Sequence, residues 1–374
     1  MKSPLRILTI LGARPQFIKA AAVSRAVQEI NSRSAAPLIE ETIVHTGQHY
    51  DENMSDIFFQ EMDIPAPAYF LAVGSAPHGA QTGRMLEKIE QVLLQERPDL
   101  CLVYGDTNTT LAGALAAVKQ HIPAAHIEAG LRSYDRRMPE EINRLVADHL
   151  CRYRFCPTRT AVENLKKEGI ETGVYQTGDV MYDCLLYYSR KIQDRQASIL
   201  QPFGLRKETY FLATIHRAEN TDDPQRLARI LEGLGRIAES VGPVLLPLHP
   251  RTAAALERSN LSVPSAIQIL QPVSYLTMLA LEQNARAILT DSGGVQKEAY
   301  FLGVPCLTFR DRTEWPETVR DGWNTLVDAD PLRIAQTAAV VRRPQAAPQT
   351  GEYGDGSAAL KILQILLAPL KSSS

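Results

Sequence analysis

The sequence is short of the features that mark several protein classes. No run of about 18 apolar residues occurs in its 374 positions, so no membrane-spanning helix is expected. It has no excess of charge: 40 Lys and Arg stand against 42 Asp and Glu, a formal net charge of -2. A large nucleic-acid footprint needs a basic surplus, so no nucleic-acid partner is expected. Cysteines number only five, Cys101, Cys151, Cys156, Cys184 and Cys306, with no Cys-x-x-Cys pair. An odd set inside apolar runs reads as buried free thiols, not as disulfides or a metal site. No His-Glu-x-x-His spacing occurs, so no metal is assigned. There is no Gly-x-Gly-x-x-Gly after a strand and no Gly-x-x-x-x-Gly-Lys-Ser/Thr, which disfavours a dehydrogenase and a P-loop kinase. The first apolar run ends after about seven residues in Gly12-Ala13-Arg14-Pro15, too soon for a signal peptide, and the cytoplasm is the expected compartment.

What is present is a rhythm of short apolar runs separated by helix-length segments. Leu5 to Leu11, Thr42 to His45, Leu100 to Tyr104, Ala124 to Glu128 and Tyr153 to Cys156 read as buried strands. The rhythm restarts beyond Gln201-Pro202-Phe203-Gly204 with Tyr210 to Ile215, Val244 to Pro247, Ala266 to Ile269, Ala287 to Thr290 and Pro305 to Phe309. Continuous apolar strands alternating with helices imply parallel sheets covered on both faces, an α/β fold. The length favours two domains, divided here into 1–178, 179–356 and a final helical segment, 357–374. Arg342 to Gly356 reads as a loop.

Polar clusters recur where these strands end, which is where parallel sheets bind ligands. Asp291-Ser292-Gly293-Gly294 precedes a helix; its glycines let backbone approach an anion, and the helix N-terminus favours a phosphate. Glu298 would lie about one turn in, within reach of ribose hydroxyls. The bland alternative is a serine N-cap on a tight turn. Arg14 and Lys19 are placed to neutralise a diphosphate, or are ordinary surface cations on a helix. His216 and Arg217 end another strand, and His249 a third, where a lone histidine is more often structural. Asp106, Glu128 and Glu140 are candidates for acid–base work, since clustered carboxyls have their affinities for protons pushed apart. Pro139-Glu140-Glu141 is equally an ordinary helix start, with proline and acids in the first turn.

Taken in order, the clusters resemble the non-hydrolysing UDP-N-acetylglucosamine 2-epimerases. The matching stretches are Gly12-Ala13-Arg14-Pro15 with Lys19, Thr46-Gly47-Gln48-His49, Gly105-Asp106-Thr107, His126 to Arg132, Pro139 to Glu141 with Asn143-Arg144, His216-Arg217 with Glu219-Asn220, Thr290 to Glu298, and Tyr353 to Gly356. The resemblance implies two Rossmann-like domains facing across a deep cleft, similar to B-type glycosyltransferases, with a final helix crossing back to the first. It implies a UDP-sugar substrate, no cofactor, and a homodimer. It also implies elimination of UDP to leave a 2-acetamidoglucal, followed by re-addition with inversion at C2. On that basis Asp106, Glu128 and Glu140 are the acid–base carboxylates, assisted by His216. Arg14, Lys19, Ser292, Gly293, Gly294 and Glu298 bind substrate. Gln48, His49, Arg217 and His249 match a regulatory site for a second, activating UDP-sugar.

The chain departs from the commonest pattern of that family. Gln16 stands where Glu is usual, Lys297 where Glu is frequent, and Trp315 where Arg is frequent. These features are similar to the branch containing UDP-2,3-diacetamido-2,3-dideoxyglucuronate 2-epimerases, and Lys297 is expected to direct positive charge toward a sugar carboxylate. A glycosyltransferase or hydrolysing epimerase on the same scaffold is the competing enzyme class. Three acids exceed what a simple transferase needs. A non-catalytic UDP-sugar-binding regulator would not need Asp106, Glu128, Glu140 and His216 together.

Overall fold

The computed structural model describes residues 3–48 and 61–371, without the side chains of residues 369–371. The chain forms two compact units, Met1–Leu186 together with Gly351–Ser374, and Tyr187–Thr350.

The first unit holds a parallel sheet of β1 (Leu5–Leu11), β2 (Ile39–His45), β3 (Tyr69–Phe70), β4 (Leu100–Tyr104), β5 (Ala124–Ile127), β6 (Tyr153–Cys156) and β7 (Val174–Gln176). Its order is β3-β2-β1-β4-β5-β6-β7. The central strands are apolar on both faces, because helices cover both: Leu8, Ile10, Cys101 and Val103 are fully buried. Helix Arg14–Ser32 opens with a proline in its first turn and buries Phe17, Ile18 and the alanines Ala20 to Ala22. Small residues allow close approach, and helix Ala358–Lys371 packs against it. Asp183 fastens the start of that last helix, accepting from the backbone N–H of Ala358 (3.1 Å) and Ala359 (2.8 Å).

The second unit holds β8 (Phe211–Thr214), β9 (Val244–Pro247), β10 (Ile267–Leu270), β11 (Ala287–Thr290), β12 (Cys306–Thr308) and β13 (Asn324–Leu326). They form a parallel sheet ordered β10-β9-β8-β11-β12-β13. Helix Pro224–Ser240 is capped by Asp223, which accepts from Gln225 and Arg226, and turns Leu227, Ile230, Leu231 and Leu234 onto the sheet.

Each sheet reverses its winding once, between β1 and β4 in the first and between β8 and β11 in the second. Such switch points open a crevice beyond the carboxyl ends of the strands, the usual place for a ligand in open α/β sheets. No helix among the described residues is long and apolar enough to cross a membrane. The five cysteines are all buried and free. Burial pushes the Cys101 and Cys306 thiols up to about 12, which leaves them without nucleophilic thiolate near neutrality.

Candidate functional site

The residues singled out in the first unit gather around its switch point. Gly12 follows β1 with no room for a side chain: a Cβ there would meet Thr46 Oγ1 and Thr109 Oγ1 at 2.2 Å each. Gln16 closes this turn. Its Oε1 accepts from the backbone N–H of Gly12 (2.8 Å) and Ala13 (3.1 Å), while its Nε2 donates to Tyr104 O (2.8 Å) and Thr107 Oγ1 (3.0 Å). An amide both donates and accepts, so one side chain ties the loop after β1 to the loop after β4. An ionised glutamate could only accept. Arg14, half-buried, is the first residue of the following helix.

Lys19, one turn further, is 6% exposed and ion-paired with Glu128, itself 9% exposed. Glu128 follows β5 with φ of 74°, a left-handed conformation that costs a non-glycine residue about 1 kcal/mol. The strand expected to run to Glu128 therefore stops at Ile127, and the turn brings the carboxylate back to Lys19. Gly105, at φ 63°, supplies the neighbouring turn: a Cβ there would lie 3.1 Å from Lys19 Nζ and 3.3 Å from Glu128 Oε2. Asp106 is the next residue in the chain, so the Lys19–Glu128 pair and Asp106 share one crevice.

Asp106 is held by Arg144, whose Nε and Nη2 donate to its Oδ2 at 3.0 and 2.6 Å. Arg144 also donates through Nη1 to Glu141 Oε2 (2.7 Å). Glu141 is almost fully buried and accepts from the backbone of Ser133 and Tyr134, both at 2.9 Å. It therefore fastens the loop before its helix. Glu140 is half-buried and lies one turn from Arg144 on helix Pro139–Leu150, hence on the face that carries the Asp106 contact. Below them His126 bridges Asp148 Oδ1 and Gly105 O, each at 2.7 Å, and Arg132 joins Asp148 (2.7 Å) to Glu168 (2.7 Å). Burial works to raise the Asp148 carboxyl, but His126 and Arg132 prevail and hold it below the usual range. Gln48 is buried against Thr109, whose N–H (3.1 Å) and hydroxyl (2.9 Å) both donate to its Oε1. His49 lies outside the described residues.

In the second unit the switch point is organised by Asp291, which is fully buried. It accepts from the backbone N–H of His216 (3.1 Å) and Arg217 (3.0 Å) and from Asn220 Nδ2 (3.0 Å), tying the loop after β8 to the loop after β11. His216 Nδ1 lies 3.4 Å from Asp291 Oδ1. Ser292 is the N-cap of helix Gly293–Phe301, its hydroxyl accepting from Val295 N–H (3.4 Å). Around Gly293, the position of a Cβ lies 3.4 Å from Trp315 Nε1 and 3.5 Å from Arg217 Nη2. Two donors thus lie close to the start of this helix. Glu298 is buried one turn in. His249, exposed, N-caps helix Pro250–Arg258 and has its ring 5.2 Å from that of His216.

Lys297 is 1% exposed, with Nζ 4.1 Å from the centre of the Trp315 ring, so its charge lies buried against an indole face. Sequence reasoning assigned no site role to Gln16, Arg144, Asp291 or Trp315. For Asp291 a signal was available: an aspartate directly after an apolar strand and before a capped helix is placed to collect neighbouring N–H groups.

Comparison with known proteins follows the same lines. The family model described as UDP-N-acetylglucosamine 2-epimerase matches residues 31–367. The UDP-2,3-diacetamido-2,3-dideoxy-D-glucuronate 2-epimerase of Pseudomonas aeruginosa is 50% identical over 366 residues, covering 97% of this chain and 99% of that protein. A UDP-N-acetylglucosamine 2-epimerase homolog of Methanococcus maripaludis is 50% identical with the same coverage. The crystal structure of the Methanocaldococcus jannaschii UDP-GlcNAc 2-epimerase with UDP-GlcNAc and UDP superimposes with a TM-score of 0.88 at 44% identity, over 96% of this chain and 99% of that one. With the family's motifs set at both switch points and the match spanning most of the sequence, the chain belongs to the UDP-N-acetylglucosamine 2-epimerase family.

Proposed function

We propose that the protein inverts C2 of a UDP-sugar, interconverting UDP-GlcNAc and UDP-ManNAc without net hydrolysis. The observation that carries this reading is the pairing of two different devices: cation-held carboxylates at the β4 and β5 ends, and a serine-capped, glycine-rich helix start flanked by Arg217 and Trp315. The C2 proton of an acetamido sugar is not acidic enough to be removed alone. Departure of UDP from C1 lets the C2–H electrons form the C1=C2 bond, so a base at C2 and a stabilised diphosphate are needed together.

In this mechanism a carboxylate among Asp106, Glu128 and Glu140 takes the C2 proton as the C1–O bond breaks, and UDP leaves with the bonding pair. A proton is then delivered to the other face of C2 of the glucal, and a UDP oxygen re-forms the bond at C1. Arg14, Lys19, Ser292, Gly293, Gly294 and Glu298 bind the nucleotide sugar, and His216, oriented by Asp291, assists at the diphosphate. The reading extends to a cytoplasmic homodimer with a second, activating UDP-sugar near Gln48, His49, Arg217 and His249, supported by the matching motifs. The domain division follows the same logic: 1–178 carries the acids, 179–356 holds UDP, and 357–374 carries the helix Ala358–Lys371 that packs back on the first part.

One observation favours a second substrate. The diacetamido-glucuronate 2-epimerase of Pseudomonas aeruginosa is as similar to this chain as the Methanococcus maripaludis homolog, each at 50% identity. The test is incubation with UDP-GlcNAc in D2O, following C2 by proton NMR. Inversion with deuterium at C2 and intact UDP-sugar is expected. Net release of UDP and free ManNAc would instead mean hydrolysis, and turnover of the diacetamido-uronate alone would transfer the assignment to that substrate.

A further inference from the structure

Beneath the crevice of the first unit, a histidine that the proposed mechanism does not use is bonded at both ring nitrogens. His126, the third residue of β5, is fully buried. Its Nδ1 meets Asp148 Oδ1 and its Nε2 meets Gly105 O, each at 2.7 Å. A backbone carbonyl only accepts, so Nε2 carries a hydrogen. Asp148 is an acceptor as well. Its Oδ2 takes the N–H of Gly130 (3.1 Å) and Arg132 Nη1 (2.7 Å), and burial, which works to raise this carboxyl, is outweighed by His126 and Arg132, which hold it below the usual range. An ionised carboxylate has no hydrogen to give, so Nδ1 donates too. A neutral imidazole has one N–H, and this site calls for two. The added charge is balanced locally: His126 and Arg132 stand against Asp148 and Glu168, the last held by Arg132 through two contacts of 2.7 Å. At the edge of this cluster Arg154 donates to the backbone carbonyl of Asp148, and burial raises the thiols of Cys151 and Cys156, which leaves them neutral.

The second N–H grips the main chain beside Asp106. Both peptide units flanking that residue are held: His126 Nε2 donates to the carbonyl of Gly105, and Asn143 Nδ2 donates to the carbonyl of Asp106 itself (2.9 Å). Arg144 takes the side chain, donating to Oδ2 at 3.0 and 2.6 Å. Asn143, Arg144 and Asp148 all belong to helix Pro139–Leu150, so one helix holds Asp106 at three points, the third by way of the His126 ring. That third point is the one most in need of a fastener, because Gly105, at φ 63°, has the conformational freedom of glycine. The same ring links the two acids. Glu128 lies two residues beyond His126, and Gly130, two residues further, is tied to the same Asp148 carboxylate.

We propose that His126, held as an imidazolium by Asp148, is a positioning residue for the reaction: its Nε2–H fixes the Gly105–Asp106 peptide and so sets the place of the Asp106 carboxylate relative to Glu128. This rests on the proposed epimerase function, in which those acids serve the C2 proton. A proton taken from one face of a carbon and returned to the other leaves little tolerance in where the carboxylates stand. Misplacement by about 1 Å costs on the order of 10²-fold in rate.

The test combines kinetics with NMR on the whole protein. His126→Phe keeps a flat ring in the space but removes both donors. Its kcat per UDP-binding site, with sites counted by calorimetry, should fall about 10²-fold, while KM and the UDP Kd stay within about threefold of native. His126→Gln can still donate an amide N–H to Gly105 O and should recover kcat to within about tenfold of native. Counting sites takes unfolded protein out of the comparison. A loss of folded material alone would therefore leave kcat per site at the native value and overturn the proposal, and so would His126→Gln no more active than His126→Phe. The ring nitrogens of the native protein decide the matter if neither variant folds. Nitrogen-15 spectra should show two slowly exchanging N–H groups on His126 near neutral pH, and one bare nitrogen there overturns the proposal. Failure of the native protein to turn over any UDP-sugar would instead overturn the epimerase reading, while the ring spectrum still reports whether His126 donates to Gly105, so the two failures are separable.

Discussion

The two switch points use different physics to do related work. Around β4 and β5 the crevice is built from full charges in pairs: Lys19 with Glu128, Arg144 with Asp106 and Glu141, Arg132 with Asp148 and Glu168. Around β8 and β11 the loops are tied by backbone N–H groups converging on Asp291, and the helix start presents donors. Paired charges can exchange protons and still leave the site close to neutral. Oriented dipoles and neutral donors hold an anion with little reorganisation. The difference teaches that proton transfer and leaving-group binding should be separable by mutation, the first dominated by kcat and the second by affinity.

The largest expected effect tests that separation at the carboxylates. Asp106→Asn keeps the shape but removes a proton acceptor and the charge facing Arg144. Inversion should fall by at least about 10²-fold, while UDP affinity stays within about threefold. Steady-state kinetics with calorimetric UDP binding decides it. Equal loss of both would make Asp106 a structural partner of Arg144.

The next effect is on stability. Lys19→Met removes the cation of a pair in which both partners are nearly fully buried. Breaking one member of such a pair costs about 3–5 kcal/mol, because the remaining charge has lost its compensation. Replacing both, as Lys19→Met with Glu128→Gln, should recover most of that loss without recovering activity. Urea unfolding of the single and double variants measures it, and a single variant as stable as the native protein would mean that the pair carries little weight in folding.

These contrasts were only partly legible beforehand. Strands buried on both faces declared themselves by unbroken apolar runs: Leu5–Leu11, Leu100–Tyr104, Tyr153–Cys156, Val244–Pro247 and Ala287–Thr290 have the expected limits. Tyr69–Phe70, Val174–Gln176 and Asn324–Leu326 were not anticipated. All three are sheet edges of two or three residues, part-exposed, where the apolar signal is weakest. At the crevices, acids at strand ends were visible but their partners were not, since Arg144 is 38 residues from Asp106 and Lys19 is 109 from Glu128. The surroundings of Lys297 have the same origin: its position in the chain suggested a ligand-facing cation, and only the fold shows its ammonium over the Trp315 ring.

The smallest effect concerns how the first unit responds to pH. Asp183, at the start of the last helix, has its carboxyl pushed up to about 6, chiefly by burial, which outweighs the hydrogen bonds from Ala359 and Ala358 and the nearby Arg25. A raised acid binds its proton more tightly when folded than when unfolded. Its favourable contribution is therefore full below the unfolded value near 3.8 and is lost as pH rises through about 6, a change on the order of 2–3 kcal/mol. Asp148 runs the other way: its lowered carboxyl stabilises the fold above the ordinary aspartate range and loses that contribution as acid protonates it. Asp183→Asn keeps an oxygen for one of the two backbone donors and cannot titrate. Relative to the native protein it should gain stability as pH climbs from about 4 to about 6, then hold a constant difference above that window. Urea unfolding of both proteins across this range isolates the residue, because every other titration cancels in the comparison. Parallel curves would mean that the carboxyl is not held above its ordinary value. The charge economy of the first unit would then rest on its crevice pairs and not on the joint with the last helix.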